Sequence, residues 1–168
     1  MWAFAYIFAQ YAGFFTAVVL GWWFKEDPGE LQIGRKNPMK DSWWYSEAVG
    51  IETAASLAFV LIYLNQTSRF SWLHPDPGLQ CMLVGLSYGA LVGWSAYRAG
   101  GSLNPAYGFA QNFWDEMDEG SEDDFKFIWI YTACPIVGAL FAWGIHELVV
   151  LKGHAEHAKH HGVHGQPE

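Results

Sequence analysis

The chain has 168 residues, 52% of them apolar and 15% charged, with 10 Trp and a formal net charge of −8. That balance excludes a surface made to grip the phosphate backbone of nucleic acid. The apolar residues are gathered into long runs, so the composition excludes an ordinary soluble domain and points to an integral membrane protein.

Residues 2–24 are uncharged and apolar and predict a first span. Met1 leads straight into this run without a basic segment, so no cleavable leader is expected. Residues 44–64 predict a second span, which carries Glu47 and Glu52. A carboxylate at the depth of Glu52 is costly in lipid, so it should face a partner or a cavity unless it reaches the interface. Residues 79–97 predict a third span, and residues 127–151 a fourth, with Pro135 inside and His146–Glu147 near its end. Each is long enough to cross a bilayer, which needs about 20 apolar residues. His146–Glu147 reads as an interfacial polar pair. Residues 1–151 form one membrane domain, and residues 152–168 form a polar, His-rich tail.

Small residues recur every four positions: Ala5, Ala9, Gly13, Ala17 and Gly21, then Gly50, Ala54 and Ala58, then Gly85, Gly89 and Gly93. That spacing lets helix backbones approach closely, and packing drives association where lipid gives no hydrophobic gain. General enrichment of Gly and Ala in membrane helices is the alternative. Trp22, Trp23, Trp43, Trp44, Trp114 and Trp129 sit near span ends and form an aromatic belt. Cys81 and Cys134 lie in apolar runs and read as buried small side chains, not a disulfide framework.

Between the third and fourth spans lies Gly-Gly-Ser-Leu-Asn-Pro-Ala, residues 100–106. Asn104 is a strong N-cap, and Pro105 suits a first helical turn because it has no N–H to leave unpaired. The apolar segment that follows runs to about Trp114, too short to cross. Residues 104–114 therefore predict a re-entrant half-helix, and the fold class is all-α membrane, with four spans plus this half-helix. A half-helix in a bilayer must be buried in protein or line a water-filled cavity, where the positive end of its dipole repels cations. Asp115, Glu116, Asp118, Glu119, Glu122, Asp123 and Asp124 then read as one solvated acidic loop, with a cation site as the alternative. Lys25, Arg35, Lys36, Lys40, Arg98 and Lys126 fall on the side of the 25–43 and 99–126 loops. Arg69, Lys152 and Lys159 fall on the other. The positive-inside rule would place the first side in the cytoplasm or its organellar equivalent.

The segment 100–106 resembles the second signature loop of the aquaporin (major intrinsic protein) family. "WIYTACPIVGALFAWGIHE" resembles that family's last helix, "EAVGIETAASLAFVLIYL" its fourth and "YIFAQYAGFFTAVVL" its third. The resemblance covers most of residues 2–151, as the third to sixth helices of a truncated aquaporin. It implies that Asn104, Pro105 and Ala106 form the pore motif, and that Glu52 is the buried carboxylate supporting the re-entrant loop. It implies selectivity positions at Tyr107, where the family normally has Arg, and at Val92, where water-selective members often have His. Both substitutions remove polar pore chemistry. The family's other half-helix has no counterpart in these residues, because Asn-Pro-Ala occurs once.

The expected function is a structural accessory subunit of a larger membrane complex, without selective flux. A respiratory-type assembly in the mitochondrial inner membrane is the expected setting. The alternative is a water or small neutral solute channel completed by another chain or by oligomerisation. A weaker one is a proton-handling subunit using Glu52. No nucleophile–base pair, phosphate loop or haem signature is present, so neither an enzyme nor a cofactor is expected. The expected partners are lipid and other membrane subunits, with a possible second chain supplying the remaining half of the fold. His154, His157, His160, His161 and His164 are spaced near three and four and are weak metal candidates. The three glycines at 153, 162 and 165 disfavour the long helix that would align them.

Overall fold

A computed structural model describes residues 2–24, 43–68, 75–119 and 127–153, and the account below is of these. They form α1 (Trp2–Phe24), α2 (Trp43–Thr67), α3 (Pro77–Ala99), α4 (Pro105–Glu119) and α5 (Ile128–Ile145). The chain continues from α5 into a π-helical stretch, His146–Leu151. Four helices are long and apolar enough to cross a membrane: Ala3–Phe24, Tyr45–Thr67, Pro77–Ala99 and Ile128–Val149. The five tail histidines and Glu122, Asp123 and Asp124 lie outside the described residues.

The helix ends follow local chemistry. Asp76 caps α3 by accepting the Leu79 N–H at 2.9 Å, and Pro occupies the first turn. Gly100 ends α3 in the left-handed conformation, φ 97°, and its N–H reaches Ala96 O at 3.1 Å. α4 runs past Trp114 to Glu119. Asp115, Glu116, Asp118 and Glu119 therefore belong to helix and not to an acidic loop. A polar side chain does not break an i to i−4 ladder, and the first breaker in the sequence is Gly120.

α2 is central, packed on α5 along one side and on α3 along another. α2 and α5 run parallel. At their starts Tyr45 and Phe127 meet with ring centroids 4.7 Å apart. Further along, Gly138 sits so close to α2 that an added Cβ would stand 2.5 Å from Thr53 O and 2.9 Å from Leu57 N. α3 is antiparallel to α2: Arg98 at its end pairs with Glu47 near the start of α2 at 3.0 Å, and Tyr88 meets Phe59 at 5.1 Å. α4 packs on α5, where Gly108 plays the same part, with Tyr131 Cβ and Tyr131 O at 2.6 and 2.7 Å from its missing Cβ.

α1 packs on α4, through a ladder of rings. Tyr11 meets Phe109 (5.7 Å), Phe15 meets Phe113 (5.6 Å) and Trp22 meets Trp114 (5.8 Å), so the two helices run in the same direction.

The small-residue stripes are not where the chain packs internally. Ala5, Ala9, Gly13, Ala17 and Gly21 are all exposed, as are Gly85, Gly89 and Gly93. A Cβ added at any of these five glycines, or at Gly50, would meet nothing within 4 Å. The close internal approaches fall instead at Gly108 and Gly138, outside every stripe. Cys134 is buried between α5 and α2 but Cys81 is exposed, because it lies off the half-buried face of α3 that carries Gln80, Leu83, Val84, Ser87 and Tyr88. His146 is 5% exposed while Glu147 faces out, so the two do not form an interfacial pair.

Candidate functional site

The segment after α3 turns back into the fold. Gly101, φ 70°, lies against α3: a Cβ there would stand 3.0 Å from Val92 O and 3.1 Å from the Ala96 backbone. Only a residue without a side chain fits both the dihedral and the space. Ser102 and Leu103 follow, both buried. Leu103 has φ 48°, which is strained for a residue with a Cβ.

What holds that strained turn is Glu52, fully buried ten positions into α2. Its Oε1 accepts the Ser102 N–H and its Oε2 the Leu103 N–H, both at 3.0 Å. A carboxylate accepting two backbone N–H groups is a charge-assisted clamp, about twice as strong as a neutral pair. In lipid no water can substitute for it. Ser102 Oγ adds a bond to Asn104 O at 2.9 Å.

The clamp delivers Asn104 to the start of α4. Its Oδ1 accepts the Ala106 N–H at 2.9 Å, the N-cap geometry that pairs one of the helix's orphan donors. Its Nδ2 donates to Gln10 Oε1 at 3.0 Å. Gln10 lies eight residues into α1, about 12 Å along its axis. The half-helix thus begins at mid-depth, and it climbs beside α1 toward Phe24. Pro105 occupies the first helical position and Ala106 is buried beneath it.

Residues 1–146 match the family model described as Major intrinsic protein. The chain belongs to the major intrinsic protein family. No curated protein and no solved structure matches it. Members of this family are channels, which fits an integral membrane fold whose half-helix starts within the bilayer.

Tyr107 and Val92, the two positions that the resemblance marks for selectivity, are uncharged. Tyr107, directly after the motif, is half-buried in the first turn of α4, its ring 5.4 Å from Phe14. Val92 is half-buried on α3, at the level where the loop doubles back against its carbonyl. Arg98, the described cation nearest in sequence, is in the last turn of α3 and is engaged by Glu47. Glu47 is five residues before Glu52, about 7.5 Å toward the membrane edge, so Arg98 is directed away from the start of α4. Among the described residues no group of three or more His, Cys, Asp or Glu could hold a metal ion.

Sequence reasoning missed two parts of this site. Gln10 bonds to a residue 94 positions away, and Gly108 admits Tyr131 beside the loop. For Gln10 a signal existed: a polar amide in an otherwise apolar span asks for a partner.

Proposed function

We propose that this chain is an aquaporin-derived packing subunit of a larger membrane assembly and carries no selective flux. The observation that supports it is the Asn104–Gln10 hydrogen bond. It lies at mid-depth and is exposed on the surface of the chain. Amides at that depth do not face lipid tails; on this reading other protein, and not a water-filled cavity, covers the flank. Exposed small residues on α1 and α3 fit close contact with further helices. The loss of selectivity rests on Tyr107. A neutral ring tilted against Phe14 takes the place where a cation would order passing solute, and no other described cation faces the start of α4. No residue of the chain ties the partner to a respiratory assembly or to the mitochondrial inner membrane.

The test is gentle solubilisation of native membranes, separation on a native gel and identification of whatever migrates with the chain. The expected result is one large species with partner membrane chains in fixed ratio, and proteoliposomes of the purified chain no more permeable to water than empty ones. Migration as a small homo-oligomer, with water flux abolished by Asn104→Asp, would overturn the proposal in favour of a channel completed by a second copy.

A further inference from the structure

The open side of α1 carries a polar patch whose hydrogen-bonding sense is fixed by the fold. Asn104 Oδ1 accepts the Ala106 N–H at 2.9 Å, so the other end of that amide is Nδ2, which donates to Gln10 Oε1 at 3.0 Å. Reversing either amide would aim N–H at N–H. The helix cap therefore sets Asn104, and Asn104 sets Gln10. Gln10 ends with its oxygen turned toward Asn104 and its Nε2 turned away. Neither proton of that nitrogen, nor the second proton of Asn104 Nδ2, has an acceptor among the described residues. The patch thus offers N–H groups in excess. The positive end of the α4 dipole lies beside it and adds the same sign. Gln10 is exposed at mid-depth, where lipid tails accept no hydrogen bond.

The surroundings of Gln10 admit a helix. Tyr11, Phe15 and Trp22 turn toward α4. Tyr6, Gly13 and Ala17 lie three, four or seven positions from Gln10, share its side of α1 and are exposed. A Cβ at Gly13 would meet nothing within 4 Å. Such small residues let a neighbouring helix come within reach of the amide. A second copy of the chain would bring the same excess of N–H to the seam and leave most of it unpaired. We propose that a spanning helix of a different membrane chain lies along this side of α1 and presents a side-chain oxygen to Gln10 Nε2 at mid-depth. A Lys or Arg cannot take that place, because neither has an acceptor. The inference rests on the packing-subunit reading and names the chemistry of the partner at that flank.

The test places photo-reactive benzoylphenylalanine at the position of Tyr6, exposed and one turn from Gln10, in the full chain in its native membrane. Irradiation and peptide sequencing should give a link to a spanning segment of another chain, within about one turn of a residue with a side-chain oxygen. Gln10→Leu should weaken recovery of that partner by about three- to tenfold, the scale of one interhelical hydrogen bond. Replacing the partner's oxygen-bearing residue by Ala should do as much, and the two changes together should cost no more than either alone. Additive losses, or a linked segment with no side-chain oxygen near the link, would overturn the inference while the large assembly, and with it the packing-subunit reading, still stood. A link to a second copy in a small homo-oligomer would overturn both. A link to no protein, with the Gln10 amide protons exchanging as fast as those of a free amide, would place water at the patch and overturn the inference even if other faces of the chain held partners.

Discussion

The flank where α2, the re-entrant loop and α5 meet and the outward faces of α1 and α3 are both rich in small residues, yet they pack in opposite ways. On the first, Gly108 and Gly138 sit where a single Cβ would strike backbone atoms within 3 Å, and Glu52 is sealed from solvent. On the second, Gly13, Gly21, Gly85, Gly89 and Gly93 have no neighbour within 4 Å. The difference teaches that small residues mark where a surface can be approached, not which surface the chain itself approaches. The first flank sets the conformation of the loop. The second is left for whatever stands beside the chain.

Removing Glu52 should have the largest effect on the closed flank. Glu52→Leu keeps the volume and leaves two N–H groups without a partner, each costing about 1–3 kcal/mol when buried. Leu103 at φ 48° would then have nothing to hold it. The expected result is a loss of amide-exchange protection confined at first to residues 101–104, and a thermal midpoint lowered more than by any other single change considered below. Full protection of Ser102 and Leu103 in the variant would show that the turn is held by packing alone.

Gly138→Ala comes next. The new methyl would stand 2.5 Å from Thr53 O and 2.9 Å from Leu57 N. Both are backbone atoms, so α2 and α5 must separate. Overpacking of this kind costs about 1–3 kcal/mol. Denaturant titration of the chain in mixed micelles should report it, and an unchanged midpoint would mean that the two helices tolerate sliding.

Much of this contrast was hidden from the sequence for a physical reason. Lipid demands long apolar runs, so the spans could be read directly. Residues 2–24 coincide with α1, and α2 and α3 run one to three residues past the expected spans because helices persist into the polar interface, whereas α5 gives way to a π-helical stretch at His146. The start of α4 was legible because Asn104 and Pro105 are chemically suited to a helix N-terminus. Its end was placed at Trp114 on hydropathy, but backbone hydrogen bonding continues to Glu119. The direction in which a stripe faces was not legible. A four-residue period marks one side of a helix and says nothing about what lies opposite. Gly108 and Gly138 belong to no stripe and were missed as contacts for that reason. Pairings such as Glu47 with Arg98, 51 positions apart, depend on the fold that brings them together.

A milder break acts where the loop joins α4. Asn104→Ala removes the cap on the Ala106 N–H and should cost about 1 kcal/mol. Gln10→Leu leaves that cap in place and removes only the acceptor of the Asn104 amide, so it should cost less. Comparing the two by thermal melt separates the helix-capping role from the link to α1. Equal losses would mean that the Gln10 bond, and not the cap, is what the side chain contributes.

The smallest effect on the chain itself belongs to the open flank. Gly89→Ala places a methyl where nothing stands within 4 Å. Inside a helix Ala is favoured over Gly by about 0.5–1 kcal/mol, so the purified chain should be as stable as before or slightly more so. In native membranes the same methyl lies on the surface offered to neighbouring helices, and it should lower the fraction of chain recovered in a large assembly. Gly138→Ala should show the reverse order, a weaker chain first and a weaker assembly only as a consequence. A Gly89→Ala chain that is stable alone and also fully assembled would show that lipid, and not protein, lies against this part of α3. The covered flank would then be narrowed to α1, where the exposed Gln10 already calls for protein.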